Sequence, residues 1–208
     1  MSYGQDYRRK LVSANQAVKL IKSGDWIDYG SMNGQVVSLD RALAARKDEL
    51  KDIKVWNLLN SYPARILEVD PDGEVFTWNS WHLSARDRQL MKSGRPVFYS
   101  SIRYSELPRY VREHIEALDV AMLQVAPMDK HGFFNFGPQG SHSRAVCDRA
   151  QVIIVEVNQN MPRCLGGYEE GVHISEVDYI VEGENPPLAQ LPDTVFSQVD
   201  EKAARYII

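Results

Sequence analysis

Residues 120–157 read VAMLQVAPMDKHGFFNFGPQGSHSRAVCDRAQVIIVEV, and the two ends of this stretch decide the fold. Val120–Val125 and Val152–Val157 are nearly unbroken apolar runs of strand length. A strand with one wet face alternates apolar and polar residues. A run that is apolar at consecutive positions suits a parallel strand covered on both faces. Between the two runs, Gly132–Phe136 suggests a hairpin arm, and Ser141–Ala150 a helix capped by Ser141.

The same alternation of short apolar runs and amphipathic stretches extends in both directions. Ala14–Ser23 is expected to be helical, with Ser13 or Asn15 as its cap and Gly24 as its stop. Trp26–Tyr29 reads as a strand that enters the small-residue turn Gly30–Gly34. A helix from Val36 to Leu50 follows, with Val36, Leu39, Leu43 and Leu50 on one face. Val55–Leu59 is the next strand. The turn Asp70-Pro71-Asp72-Gly73 leads into a strand at Glu74–Trp78. Ser84–Lys92 reads as a helix ending at Gly94, and Val97–Ser100 as extended. Leu107, Tyr110, Val111, Ile115 and Leu118 trace a helical face, with Pro108 in its first turn. The proline-rich segment Asn185–Pro192 reads as a linker, and Val195–Ile208 as the start of a further helical element. The expected fold is α/β, an open and mainly parallel sheet with helices on both faces. One domain is expected over 1–184, then a linker and the start of a second over 185–208. A chain that passes a linker and stops in mid-helix suggests a truncated polypeptide.

The net charge of -4 argues against a general nucleic-acid binder, yet local Arg and Lys residues can still hold an anionic small molecule. Only Cys147 and Cys164 occur, so a reducing compartment fits best and the expected location is the cytoplasm. The opening residues lack the apolar core of a secretory signal, and no run approaches the ~20 apolar residues needed to span a membrane.

Three segments are candidates for chemistry, each placed where an apolar strand ends. Tyr29-Gly30-Ser31-Met32-Asn33-Gly34 offers a flexible backbone before a helix start, which suits an anionic group or an oxyanion. An ordinary turn is the equal alternative, and the pattern is neither GxGxxG nor a P-loop. The second segment, Gln124–Gly137, runs from a buried strand through Asp129-Lys130-His131-Gly132 into an aromatic stretch. His131 is a candidate base, but no nucleophile and orienting acid accompany it. The third, Asn158–Ser175, carries amides, Arg163, Cys164 and a glycine-rich loop. Arg163 is suited to a carboxylate or phosphate. Cys164 has no evident His/Asp partners, and His131, His173 and Cys164 lack zinc-site spacing.

The segments APMDKHGFFNFG (126–137), SHSRAVCDRAQVIIVEVNQNMPRCLGG (141–167) and HISEVDYIVEG (173–183) resemble the acetyl-CoA hydrolase/transferase family, particularly its 4-hydroxybutyrate and butyrate CoA-transferases. The resemblance is strong from Leu118 to Gly183. Two departures stand out. The turn after Gly30 lacks the proline many CoA-transferases carry there, and the loop Gly166–Gly171 looks longer, which points to a different acyl preference.

The resemblance implies a CoA-transferase or sugar-phosphate-isomerase-like sheet. It also implies a ping-pong transfer of CoA between carboxylic acids through a glutamyl-CoA thioester. In the family the glutamate lies in the second half, beyond Ile208, and Glu169 and Glu170 do not align with it. No catalytic residue is therefore expected in this chain, and the residues present would form one wall of the site. That wall is expected at Gly30, Ser31, Asn33 and Gly34, at Pro127, Met128 and Asp129, at Asn160, Met161, Pro162 and Arg163, and at Gly166 and Gly167. Coenzyme A or acyl-CoA would bind as substrate, with no permanent cofactor and no metal. The expected partners are short-chain carboxylic acids, a C-terminal catalytic half in cis or in trans, and further copies of the chain, with no nucleic acid and no membrane. A thioester hydrolase, a non-catalytic module that binds an anionic metabolite and a split enzyme are the competing readings.

Overall fold

The two apolar runs pair with each other in parallel along their full length, Val120 opposite Val152 and Val125 opposite Val157. The computed structural model describes residues 2–167, 169–190 and 193–207. In chain order its elements begin with α1 (Tyr3–Lys10), α2 (Ala14–Ala17), β1 (Trp26–Ser31), α3 (Ser38–Ala44), β2 (Ile53–Leu58) and α4 (Arg65–Val69). Then come β3 (Phe76–Ser80), α5 (Ala85–Lys92), β4 (Val97–Tyr99), α6 (Leu107–His114), β5 (Val120–Val125) and β6 (Phe133–Asn135). The last are α7 (Ser143–Arg149), β7 (Val152–Val157), β8 (Gly171–His173), β9 (Tyr179–Glu182) and α8 (Gln198–Arg205).

Seven strands form one sheet in the order β4-β3-β2-β1-β5-β7-β9, with every neighbouring pair parallel. On one face Ile27, Tyr29, Val55, Trp78 and Met122 pack against Leu39 and Leu43 of α3 and Ile66 of α4. On the other, Leu123, Val125, Val155 and Val157 meet Leu107 and Val111 of α6 and Val146 of α7. Burial on both faces is what the unbroken apolar strands require. The indoles of Trp26, Trp56 and Trp81 stack with ring centroids 5.5 and 4.0 Å apart, and Tyr110 meets Trp81 edge-on.

The differences from expectation have local causes. The helix expected over Val36–Leu50 begins at Ser38 and stops at Ala44, because Arg46 leaves the helix to cap the carbonyls of Val18 and Ile21. Ser141 is no cap: its φ is +42°, its hydroxyl pairs with His142 Nδ1, and α7 starts two residues later. The aromatic arm is real, but its partner is β8, remote in sequence, with Phe133 opposite His173. The expected linker is fastened to the sheet over residues 185–189, while Leu191 and Pro192 lie outside the described residues, as does Ile208 at the end of the expected terminal helix.

A buried carboxylate sets where α3 starts. Glu156, the penultimate residue of β7, is fully enclosed and accepts the N–H groups of Val37, Ser38 and Leu39 at 2.9–3.1 Å. Gly183 makes room for it, since a methyl there would lie 2.9 Å from Glu156 Cγ. Asp40 is held similarly, by the N–H groups of Arg65 and Ile66 and by the Tyr29 hydroxyl. Glu156→Ala strands three buried donors, so it should lower the unfolding free energy by ~3 kcal/mol, with Glu156→Gln costing less. Denaturant titration measures both.

Burial pushes the Asp40 carboxyl up to about 7, against the donors that favour its ionised form. The folded chain thus keeps a proton that the unfolded chain loses at about pH 4. Stability should fall as pH rises from about 4 to about 7. Asp40→Asn, neutral throughout, should flatten that slope in a series of thermal melts.

Candidate functional site

The order of strands reverses at β1. From it the chain builds β2, β3 and β4 outward on one side, then returns to add β5, β7 and β9 on the other. The chain leaving β1 goes to α3 on one face, and the chain leaving β5 leads to α7 on the other. The carboxyl edge between them, the crevice of a doubly wound sheet, is where open α/β sheets hold ligands.

On the β1 side, Gly30 has φ +70°, and a methyl there would lie 2.7 Å from Gly34 O, so only glycine fits. Its N–H donates to Asp28 Oδ1 at 2.7 Å, and its carbonyl accepts from Asn57 Nδ2 at 3.1 Å. Behind it, buried His142 Nε2 stands 3.6 Å from Asp28 Oδ2, and Ser31 is enclosed. The turn is thus held from beneath by polar groups of β1, β2 and the start of α7.

On the β5 side, the chain leaves through Pro127 and Met128 to Asp129. The Asp129 carboxylate accepts the N–H groups of His131 and Phe133 at 2.8 and 2.9 Å, and Arg163 Nη1 at 2.8 Å. Burial alone would raise this carboxyl, but the Phe133 and His131 donors and the Arg163 charge outweigh it and hold it below the usual range. Asp129 and Arg163 line a cavity of about 240 Å³ with Pro127, Phe133, Asn135, Gly167 and Glu170. Pro127, Asp129, Arg163 and Gly167 therefore share one hollow. Arg163 also lies 3.9 Å from Glu170, and a guanidinium between two carboxylates is not a vacant receptor for an incoming anion. Gly166 N–H closes the loop on Glu170 Oε2 at 2.7 Å.

Met161 and Pro162 crowd Gly137, and Gln139 two residues on meets Gly34. This contact joins the hollow to the β1 turn. Asn33 and Asn160 do something else: both hold the backbone of residues 185–189. Met128 is half-buried against the apolar cluster.

The tempting nucleophiles are all committed or remote. Glu169 pairs with Arg112 of α6 at 2.9 Å, and Glu170 serves Gly166 and Arg163. His131 is exposed, and burial pushes the Cys147 thiol up to about 12. Cys164 Sγ lies 4.0 Å from the Pro162 carbonyl. Among the described residues no group of three or more His, Cys, Asp or Glu is placed to hold a metal ion. No described helix is long and apolar enough to cross a membrane.

Sequence reasoning missed an amide chain along the crevice floor. Gln124 Nε2 donates to Gln35 O at 2.8 Å, and Asn158 Nδ2 donates to Gln124 Oε1. The signal was there in the form of Gln124 and Glu156, lone polar residues within otherwise apolar strands. Asn135, whose side chain holds Cys164 N, Cys164 O and Gly137 N, carried no such mark.

A parallel sheet reversed at β1, with a glycine-bearing turn and amide side chains at its carboxyl edge, defines the class: a doubly wound α/β domain. The chain belongs to the acetyl-CoA hydrolase/transferase family, whose N-terminal-domain profile matches residues 1–192. It is 51% identical over 209 aligned residues to butyryl-CoA:acetate CoA-transferase of Anaerostipes caccae, covering 100% of this chain and 47% of that one. A probable butyrate:acetyl-CoA coenzyme A-transferase of Syntrophomonas wolfei is 43% identical, over 98% of this chain and 45% of that one. The crystal structure of RipA from Yersinia pestis superposes with a TM-score of 0.83 at 29% identity, over 95% of this chain and 47% of that one. The chain thus spans about half the length of the relatives it matches.

Replacing Asp129 by Ala removes the acceptor of two backbone N–H groups and the Arg163 partner together. The unfolding temperature should drop by roughly 2–4 °C, as for ~1 kcal/mol in a domain of this size. Because the Asp129 carboxyl is depressed, the deficit should be present above about pH 4 and vanish as pH falls through its lowered value.

Proposed function

We propose that this chain is the N-terminal half of a CoA-transferase that moves CoA between butyryl-CoA and acetate, or between acids of similar size. The observation that carries the reading is the alignment of the whole chain with about half of a butyryl-CoA:acetate CoA-transferase at 51% identity. The pairing of Glu169 with Arg112 and of Glu170 with Gly166 N–H supports it, because a transferase of this kind needs a free carboxylate. In this reading a glutamate of the other half attacks the thioester carbonyl, forming a mixed anhydride and releasing CoA thiolate. The thiolate then attacks the glutamyl carbonyl, forming the enzyme thioester and freeing the first carboxylic acid. The acceptor acid reverses both steps. This half supplies the β1 turn, the hollow at Asp129–Arg163 and apolar walls that keep water from the anhydride.

The exposed apolar residues Val195, Phe196, Val199, Tyr206 and Ile207, at and around α8, are the surface on which we place the second half. The free thiols Cys147 and Cys164 support a reducing, cytoplasmic setting.

The complete protein should transfer CoA from butyryl-CoA to acetate. Residues 1–208 alone should be slower by at least about 10⁴-fold, the weight of a missing nucleophile. CoA exchange followed with labelled acetate makes the comparison. Turnover by 1–208 that Glu169→Gln abolishes would refute the reading, and thioester loss without added acid would identify a hydrolase instead.

A further inference from the structure

The segment after β9 crosses the carboxyl edge of the sheet as a fastened strap. Arg41 pairs with Glu184 at its start, and from residue 185 on the side chains that fasten it bind its backbone. Asn160 Nδ2 donates to Asn185 O at 2.8 Å, and Asn158 Nδ2 to Pro186 O at 2.9 Å, both from the end of β7. The Tyr62 hydroxyl, beyond β2, lies 3.2 Å from both Pro187 O and Asn33 Oδ1 and donates its one proton to either. Asn33, in the β1 turn, grips Ala189 at both ends of its backbone: Ala189 N–H donates to Oδ1 at 2.8 Å and Nδ2 donates to Ala189 O at 3.2 Å. The strap thus passes from the β9 edge over β7 and across the switch point to the β1–β2 side.

Its composition makes it stiff. Pro186 and Pro187 have fixed φ and no N–H to offer, so their carbonyls are what Asn158 and Tyr62 take. A strap of this kind transmits position. Asn33 and Asn158 are almost wholly buried, with their polar atoms spent on it and on the crevice floor.

We propose that Asn33, Tyr62, Asn158 and Asn160 are positioning residues. They lock the strap so that the polypeptide beyond Ala189 is delivered to one fixed place beside the switch-point crevice. The inference rests on the proposed function, in which the reacting carboxylate comes from beyond the strap. It replaces substrate contact as the role of Asn33 and Asn160. Amides that grip backbone tolerate any strap sequence, whereas substrate contacts discriminate between acids. The two roles therefore predict different kinetics.

The test uses the complete protein, with Tyr62→Phe, Asn33→Ala and the isosteric Asn33→Asp, which keeps the acceptor for Ala189 N–H and loses the donor to its carbonyl. Hydrogen exchange at the Ala189 amide should quicken on the order of tenfold in Asn33→Ala and less in Asn33→Asp. The kcat for CoA transfer should fall several-fold and by the same factor with acetate, propionate and butyrate as acceptors, with KM little changed. A change in the ratio between acceptors, with Ala189 exchange unaltered, would make Asn33 a substrate contact and overturn the proposal. Faster exchange with unaltered kcat would overturn it too, as a fastening without consequence for the site. A wild-type protein that exchanges normally but transfers no CoA would refute the proposed function. Ala189 exchange in the variants would then decide the fastening alone.

Discussion

A carboxylate placed inside a parallel sheet must find several donors or remain neutral, and Glu156 finds three at the first turn of α3. The orphan N–H groups of a helix start and the desolvated oxygens of a buried acid answer each other's need. The bond spans the sheet: it ties β7 to the segment leaving β1, with β5 between them. The β1 turn, the start of α3 and the opening of the crevice all take their places from it. Gly183 belongs to the same constraint, because the chain leaving β9 can pass only where Glu156 leaves space.

The hollow at Asp129 and Arg163 follows a related logic with the opposite outcome. Here the carboxylate sits near solvent, takes two N–H groups from its own loop, and meets a guanidinium. Ionisation is favoured rather than opposed. The positive charge that the sequence advertises at Arg163 is consumed within the chain, between Asp129 and Glu170. The hollow presents a braced polar rim over Pro127 and Phe133.

Much of the fold was legible because it is written in consecutive residues. Val120–Val125 and Val152–Val157 announce parallel strands at their exact bounds, and the helix expected over Ser84–Lys92 is α5 with Ser84 as its cap. What was hidden depends on partners far along the chain. The start of α3 needs Glu156, the aromatic arm needs β8, and the fastening of 185–189 needs asparagines after β1 and β7. The hollow was half legible. Pro127, Asp129, Arg163 and Gly167 stand at strand ends and share the hollow, whereas nothing on paper marks Asn33 and Asn160 as side chains that bind the backbone of residues 185–189.

The strand order also has a consequence for how the chain is made. β1 lies at the centre of the sheet but leaves the ribosome first among the strands, and its second neighbour, β5, follows Asp119, the residue 93 positions after Trp26 whose carboxylate accepts the Trp26 N–H. Until then one edge of β1 is open, and the first N–H groups of α3 lack the Glu156 carboxylate until β7 follows. The β1–β4 half can assemble early, but only as a sheet with a bare, apolar inner edge. Such an edge is prone to mispairing. Synthesis rate through residues 100–157 therefore bears on yield as directly as the final stability does, and a chaperone that shields the open side of β1 would act on this window.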